Sequence, residues 1–284
     1  MTQQTWIITG AARGLGRSIT AAALDAGANV VAAVRRPKAL ADLAEAYADR
    51  LLAVPYDVTD TAAAPGLVQA ALDRFGRVDV LVNNAGRAVV GAVEEVDDAQ
   101  LRDLMDLHLF GPAALVRAAL PAMRAQRSGT IVQMSSQGGR ISFPGVAAYS
   151  ASKFALEGWS ESLAGEVAPF GVRVMIVEPS RFRTGFHGSL EFTDAADAYG
   201  DALAAVRADM AGVDGRQEGD PDRAARIIVD LATGDDVPLR LPLGAEAVTR
   251  LYAACQRDLD SIERLADLAR SADFEGVAPS VRPV

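Results

Sequence analysis

A doubly wound, parallel α/β sheet is predicted for this chain by three observations. Short, wholly apolar runs recur along it, amphipathic segments of helical length separate them, and a glycine-rich turn joins the first run to the first helical segment. Wholly apolar strands imply a sheet covered by helices on both faces, and right-handed crossovers then place ligands beyond the C-terminal ends of the strands.

The predicted strands are, in order, Trp6 to Thr9, Val30 to Val34, Leu51 to Val54, Val78 to Val82, Thr130 to Met134 and Val172 to Val177, with a last short one within Leu239 to Gly244. Helical periodicity occupies residues 15 to 26, 38 to 49, 61 to 75, 98 to 127 and 148 to 168. Asp220 and Pro221 read as the N-cap and first turn of a helix reaching Ala232, and residues 246 to 269 as a long terminal helix. The least regular stretch, Arg181 to Gly219, follows the sixth strand where a lid would lie and carries Phe182, Phe186, Phe192 and Tyr199; an ordinary surface excursion is the alternative. Residues 1–284 are expected to form a single domain, with this lid at 181–219 and a C-terminal helical extension at 245–270.

Composition narrows the function. Half of the residues are apolar and 6% aromatic, which suits a packed core, while the net charge of −9 opposes contact with nucleic acid or an anionic membrane. The partner expected is therefore a small molecule. Cys255 is the only cysteine, which excludes an intrachain disulfide and a cysteine-based zinc cluster, and no metal site is predicted. A basic leader followed by an apolar stretch is absent, as is any run of 18 apolar residues, so a cytoplasmic location is expected.

TGAARGLGRS follows the first strand and opens the first helix. Gly10, Arg13, Gly14, Leu15 and Gly16 in that turn either make only a tight bend or bring backbone amides and a helix N-terminus up to a pyrophosphate, as in a Rossmann-like dinucleotide site. Without a GK[ST] sequence it is no Walker loop. The second strand ends in Val34, Arg35 and Arg36, where a site preferring NAD(H) would carry a carboxylate for the ribose hydroxyl. Two arginines there are either solvated turn residues or partners of a 2′-phosphate, with Arg13 closing from the other side; the absence of a carboxylate favours NADP(H) over NAD(H).

TGAARGLG, DVTD at Asp57 to Asp60, NNAG at Asn83 to Gly86, a serine in SSQGG, and YSASK, in that order, resemble the short-chain dehydrogenase/reductase family across residues 5 to 190. The resemblance implies hydride transfer between a nicotinamide and a carbonyl or alcohol carbon, with Tyr149 exchanging the proton. It further implies that Asp57 and Val58 flank the adenine, and that Asn83, Asn84, Ala85 and Gly86 line the cofactor and steady the sheet. Lys153 would hold the ribose hydroxyls, and Thr184, after Pro179, would meet the carboxamide or pyrophosphate. Physical chemistry supports the tyrosine–lysine pairing. A free phenol titrates near pH ~10, a neighbouring cation lowers that value, and positions i and i+4 share one helix face. Ser136, 13 residues before Tyr149, matches the family's catalytic serine, whose hydroxyl would bind the substrate oxygen; Ser135 is the lesser candidate, satisfying backbone groups.

Two positions depart from the family pattern. His108 stands where an asparagine normally supports a proton-relay water, and it either takes over the relay or is simply a packed helix residue. Ser180 replaces the glycine that usually follows the sixth strand's proline. Phe143, Pro144, Val146, Val89, Val90, Phe182 and Phe186 point to an apolar substrate pocket, hence a hydrophobic ketone or secondary alcohol. His187 and Arg183 either meet a polar group of the substrate or face solvent. A homodimer or homotetramer is expected, with Leu104, Leu115 and Trp159 between subunits. Rival functions are a non-catalytic NADP(H)-binding sensor, which should have lost the tyrosine or lysine, and an epimerase or dehydratase working through transient oxidation.

Overall fold

The computed structural model describes residues 3–278 and 280, so the outermost ends of the predicted 1–284 domain lie outside the described residues. The first half of the chain runs β1 (Thr5–Thr9), α1 (Gly14–Asp25), β2 (Asn29–Val34), α2 (Ala41–Ala46), β3 (Leu51–Pro55), α3 (Ala64–Phe75), β4 (Val80–Asn83) and β5 (Val89–Val90). It continues through α4 (Asp98–Met105), α5 (Gly111–Gln126), β6 (Gly129–Met134), α6 (Ala147–Val167) and β7 (Val172–Pro179). The remainder is β8 (Glu191–Phe192), α7 (Gly200–Gly212), α8 (Pro221–Thr233), β9 (Arg240–Leu243) and α9 (Ala245–Arg270).

Seven strands form one parallel sheet in the order β3-β2-β1-β4-β6-β7-β9. The apolar runs divide by the two-residue period of a strand. Trp6 and Ile8, Val30 and Ala32, Val80 and Val82, and Met175 and Val177 join one core with Ile19 of α1 and Ile228 of α8. Their alternates Ile7, Val31, Leu81, Val174 and Ile176 join a second core with Leu67 of α3, Leu115 of α5 and Leu163 of α6. Both faces of the sheet are thereby buried, which is why its strands read as continuously apolar. Chain order reverses between β1 and β4, and the loops leaving those two strands carry the glycine turn and NNAG, so the crevice opens where ligands bind in such sheets.

Asp220 caps α8 as expected, its Oδ1 accepting from the backbone N–H groups of Asp222 and Arg223. Elsewhere the elements are more broken than periodicity predicts. The 38–49 segment holds a short 3-10 turn and the six-residue α2, and the 98–127 segment is interrupted by a π-turn at Asp106–Phe110. The lid is more regular than expected: α7 lies within it, and β8 pairs with β5 in a separate two-stranded sheet. Such pairing joins residues a hundred positions apart and leaves no local signal. Leu104 and Leu115, expected between subunits, are fully buried within the single chain, and the exposed apolar side chains of α4 and its π-turn are Leu101 and Phe110.

Candidate active site

The C-terminal strand ends open into a cleft of about 1400 Å³, lined at one end by the glycine turn and at the other by Ser136, Tyr149 and the lid. Gly10 and Gly14 adopt positive φ of 66° and 56°, which L side chains adopt only at a cost. A Cβ on Gly16 would fall inside contact distance of the Gly10 carbonyl and the Asn84 amide, so only glycine lets α1 start so close to β1. The Asn84 side chain in turn donates to the Thr9 carbonyl at 2.9 Å, and its backbone N–H donates to the Thr9 hydroxyl at 2.9 Å, fastening the two crevice loops together.

Most predicted cofactor residues line this cleft: Gly10, Arg13, Gly14, Leu15, Arg35, Asp57, Val58, Ala85, Gly86, Pro179 and Thr184. Gly16 supports the turn from below. Of the two roles expected of Asn83, the geometry shows the sheet-steadying one: its side chain is buried and donates to Gln133 Oε1 of the neighbouring strand at 3.0 Å, while Asn84 faces the cleft. Arg13 reaches over to the lid, donating to Ser189 Oγ at 3.3 Å. Arg35, Arg36 and Lys38 gather at the end beyond β2, beside Asp57, whose carboxyl is held below its usual range by hydrogen bonds from the Thr59 backbone N–H and hydroxyl. Cationic groups at that end and backbone free of Cβ atoms at the turn fit a phosphorylated dinucleotide.

At the other end, Ser136 leaves β6 and caps the turn that follows, its Oγ accepting from the Gly138 N–H at 3.0 Å. Tyr149 and Lys153 share a face of α6, and a Cβ on Gly138 would stand 3.2 Å from the tyrosine ring, so the ring lies directly against that turn. Burial raises the Tyr149 phenol above its usual value, and its bond with Ser136 opposes the rise. The expected lowering by Lys153 is not what this arrangement produces. Its ammonium lies 5.9 Å from the ring centroid and donates to the Met134 carbonyl at 2.8 Å, and burial pushes its own pKa down to about 7, with Glu157 opposing.

His108 lies in the π-turn, buried, with its ring edge-on to Tyr149 at 5.6 Å between centroids. Ser152 Oγ donates to the Tyr149 carbonyl at 2.7 Å, which uses its one proton. The 2.8 Å contact between His108 Nδ1 and Ser152 Oγ therefore has the ring donating, and Nε2 accepts from the Arg87 N–H at 3.4 Å. Burial, with the Lys153 and Arg87 charges, holds the imidazole pKa well below its usual value, so the ring is neutral at pH 7. In this geometry His108 braces the first turn of α6 through Ser152. No spacing in the sequence marks Ser152 as the partner of His108.

The lid completes the pocket with Phe186, His187, Ser189, Leu190 and Met210, facing Phe143, Val146 and Val90. The Phe186 ring stands 6.4 Å from that of Tyr149. Phe182 touches the cleft but is buried in the core and bridges to Gly219, so it anchors both ends of the lid. His187 lines the cleft with Nδ1 accepting from Gln217, and Arg183 donates to the Gln217 carbonyl at 2.9 Å. Ser180 lies against Gly244, where its hydroxyl would collide with any Cβ.

A latch holds the lid. Glu95, between β5 and α4, accepts from the Ala92 and Ala196 N–H groups, the Thr193 hydroxyl and Arg207 of α7, and these bonds, led by Ala196, pull its pKa down to about 2. No pattern in the sequence marked Glu95.

A family model described as short chain dehydrogenase matches residues 4–194. The crystal structure of a short-chain dehydrogenase from Streptomyces avermitilis is 45% identical, covering 96% of this chain and 99% of its own, with a TM-score of 0.90. A 3-ketodihydrosphingosine reductase from Bacteroides thetaiotaomicron is 38% identical over 206 residues, which is 72% of this chain and 74% of that protein. A metagenomic short-chain oxidoreductase solved in complex with NADP is 28% identical, with coverage of 85% and 96% and a TM-score of 0.67.

Proposed function

This chain belongs to the short-chain dehydrogenase family and is an oxidoreductase of that type; on that premise we propose that it exchanges hydride between NADP(H) and a hydrophobic ketone or secondary alcohol. The observation that carries the reading is the convergence of Ser136, Tyr149 and Lys153 at one end of a cleft whose other end gathers Arg35, Arg36 and Lys38. Bound across the glycine turn, the nicotinamide cofactor would supply or accept the hydride.

The chain's own residues do the rest. In the reductive direction the Tyr149 hydroxyl donates its proton to the substrate oxygen, and its raised pKa keeps it protonated and ready as an acid. Ser136 donates a hydrogen bond to the same oxygen and stabilises the negative charge developing there. Lys153, its ammonium 5.9 Å from the ring centroid, stands beside the phenol and would hold the ribose hydroxyls of the cofactor. Phe143, Val146, Phe186, Leu190 and Met210 exclude water and select an apolar substituent. Arg35 and Arg36 favour the cofactor carrying a 2′-phosphate. The relative from Bacteroides thetaiotaomicron, named as a reductase of a keto compound, and the neighbour solved with NADP support the same reading. A homodimer or homotetramer belongs to the proposal as well.

The test is a panel of ketones and alcohols with NADPH and NADH, followed by nicotinamide absorbance for wild type and Tyr149→Phe. Net reduction of apolar ketones, lost by about 100-fold or more in the variant, is expected. Equal rates in both proteins would remove Tyr149 from the chemistry. Binding without turnover would favour a sensor, and conversion without net change in nicotinamide absorbance would favour an epimerase or dehydratase.

A further inference from the structure

Behind the tyrosine–lysine pair, on the side away from the cleft, two buried carboxyls stand together. Glu157 follows Lys153 by one turn of α6 on the same face, and Glu178 ends β7; they are 3% and 0% exposed. Each has one oxygen with a cationic partner and one buried with none. Glu157 Oε2 accepts from Arg240 at 3.2 Å and Glu178 Oε1 from Arg140 at 3.2 Å, while Glu157 Oε1 lies on the side of the Ser135 hydroxyl and Glu178 Oε2 is unpartnered. A Cβ on Gly139 would lie 3.2 Å from Glu157 Oε1 and 2.5 Å from Ser135 Oγ, so the glycine makes room for this cluster just behind Ser136.

We propose that Glu157 is a positioning residue for the active site: it supplies the counter-charge that keeps Lys153 an ammonium, and it shares a single proton with Glu178, so that this counter-charge depends on the pair. The inference rests on the reading of Lys153 as part of a hydride-transfer site and extends it to residues outside the cleft.

Lys153 is 5% exposed and has one hydrogen-bond partner, a neutral carbonyl, so burial alone would strip its proton; the neighbouring Glu157 charge works against that. Burial pushes the Glu157 carboxyl up, against the Ser135 hydroxyl and the charges of Arg240 and Arg140. Glu178 is pushed up by burial and then by Glu157 itself, against Arg140 and Arg240. Arg240 Nε lies 3.2 Å from Glu157 Oε2 and 3.5 Å from Glu178 Oε1, so the two buried carboxyls flank one guanidinium, and carboxyls held that close in a buried site keep one proton more readily than none. The surrounding charges are accounted for on every side. Arg240 comes from β9 and also binds Glu161 at 2.9 Å, Arg140 comes from the turn after β6 and touches Cys255 of α9, and Tyr149 and neutral His108 complete the lysine's surroundings. Glu161 is largely exposed and lies a further turn along α6, so Glu157 is the buried carboxylate on the same face as Lys153.

The chain contains two lysines, Lys38 and Lys153, which allows a direct test. Protein labelled with 13C at the lysine ε-carbon gives two signals to follow against pH, the exposed Lys38 at the far end of the cleft acting as reference and Lys153→Met assigning the other. The Lys153 midpoint should fall by about one pH unit or more in Glu157→Gln and rise in Glu178→Gln, where the whole pair charge resides on Glu157. A midpoint unchanged in Glu157→Gln overturns the proposal, and so does a fall in Glu178→Gln. Should Glu157→Gln fail to fold, Glu178→Gln decides alone, with no rise counting against it. Because the readout needs no turnover, inactivity of the wild type on ketones would sink the functional reading without touching this one, and unmoved midpoints in an active ketone reductase would do the reverse.

Discussion

The two ends of the cleft are built on different principles. At the cofactor end, glycines at positive φ, the absent Cβ of Gly16 and the Asn84–Thr9 bonds fix the backbone by steric exclusion and buried hydrogen bonds. At the substrate end, the lid is held by side chains: Glu95 to Arg207 at 2.5 Å, Arg181 to Asp209, and Arg87 to Glu191 at 3.1 Å. Steric exclusion tolerates almost no substitution, whereas charged latches can be exchanged one at a time. One end of the molecule is therefore suited to a constant ligand and the other to a variable one.

Lys153, at the seam between the two ends, should give the largest effect. Lys153→Met is expected to cut turnover by about 100-fold or more while raising Tm, because it removes a desolvated charge. The sign follows from its depressed pKa. Between about 7 and the usual lysine value near 10.5 the unfolded chain binds the proton that the folded protein has lost, so wild-type stability rises with pH across that window. The variant's advantage in melting temperature should thus be greatest at or below pH 7 and shrink toward pH 10.5; an advantage that grows with pH would contradict it.

Next in size is Gly16→Ala, which tests steric exclusion at the cofactor end. The added methyl meets backbone and a buried amide, so a loss of about 1–3 kcal/mol in stability is expected, with cofactor affinity falling alongside. Thermal melts with and without NADPH would measure both, and an unaltered affinity would show the turn to be more pliable than argued.

Glu95→Gln probes the opposite end. Loss of the carboxylate should raise KM for apolar ketones by about tenfold and leave the dissociation constant for NADPH unchanged, since losing a hydrogen bond to a charged group costs about 1.5–3 kcal/mol at most. A parallel loss of cofactor affinity would mean that the two ends are not independent. In wild type the latch should survive acidification: with a depressed pKa, its contribution is intact above about 4.5 and disappears only as pH falls toward about 2. The smallest change, Arg35→Asp, should shift the ratio of kcat/KM for NADPH over NADH by about tenfold toward NADH, and a constant ratio would remove Arg35 from the phosphate site.

The same division describes what could be read in advance. The placement of Tyr149, Lys153 and the glycine turn was legible because it depends on spacing along one helix or one turn, and Ser136 was singled out by its distance from Tyr149 in the family's pattern. Ser152, Glu95 and Glu157 were not legible, because each matters through a partner far away in the chain: His108, Arg207 and Glu178. Asn83, expected both to line the cofactor and to steady the sheet, is turned into the sheet by its distant partner Gln133.

By itself the sequence determined the parallel sheet, the ligand side beyond the strand C-termini and the sharing of one helix face by Tyr149 and Lys153, since apolar periodicity and helical spacing are local and survive without knowledge of contacts. The tertiary structure alone decided the rest. The tautomer of His108 depends on which proton Ser152 has already given away, the regular helix inside the lid on its packing, and the charge state of Lys153 on burial and on a carboxyl pair brought together by α6 and β7. Burial and long-range pairing are properties of the folded chain, and a linear order of residues does not contain them.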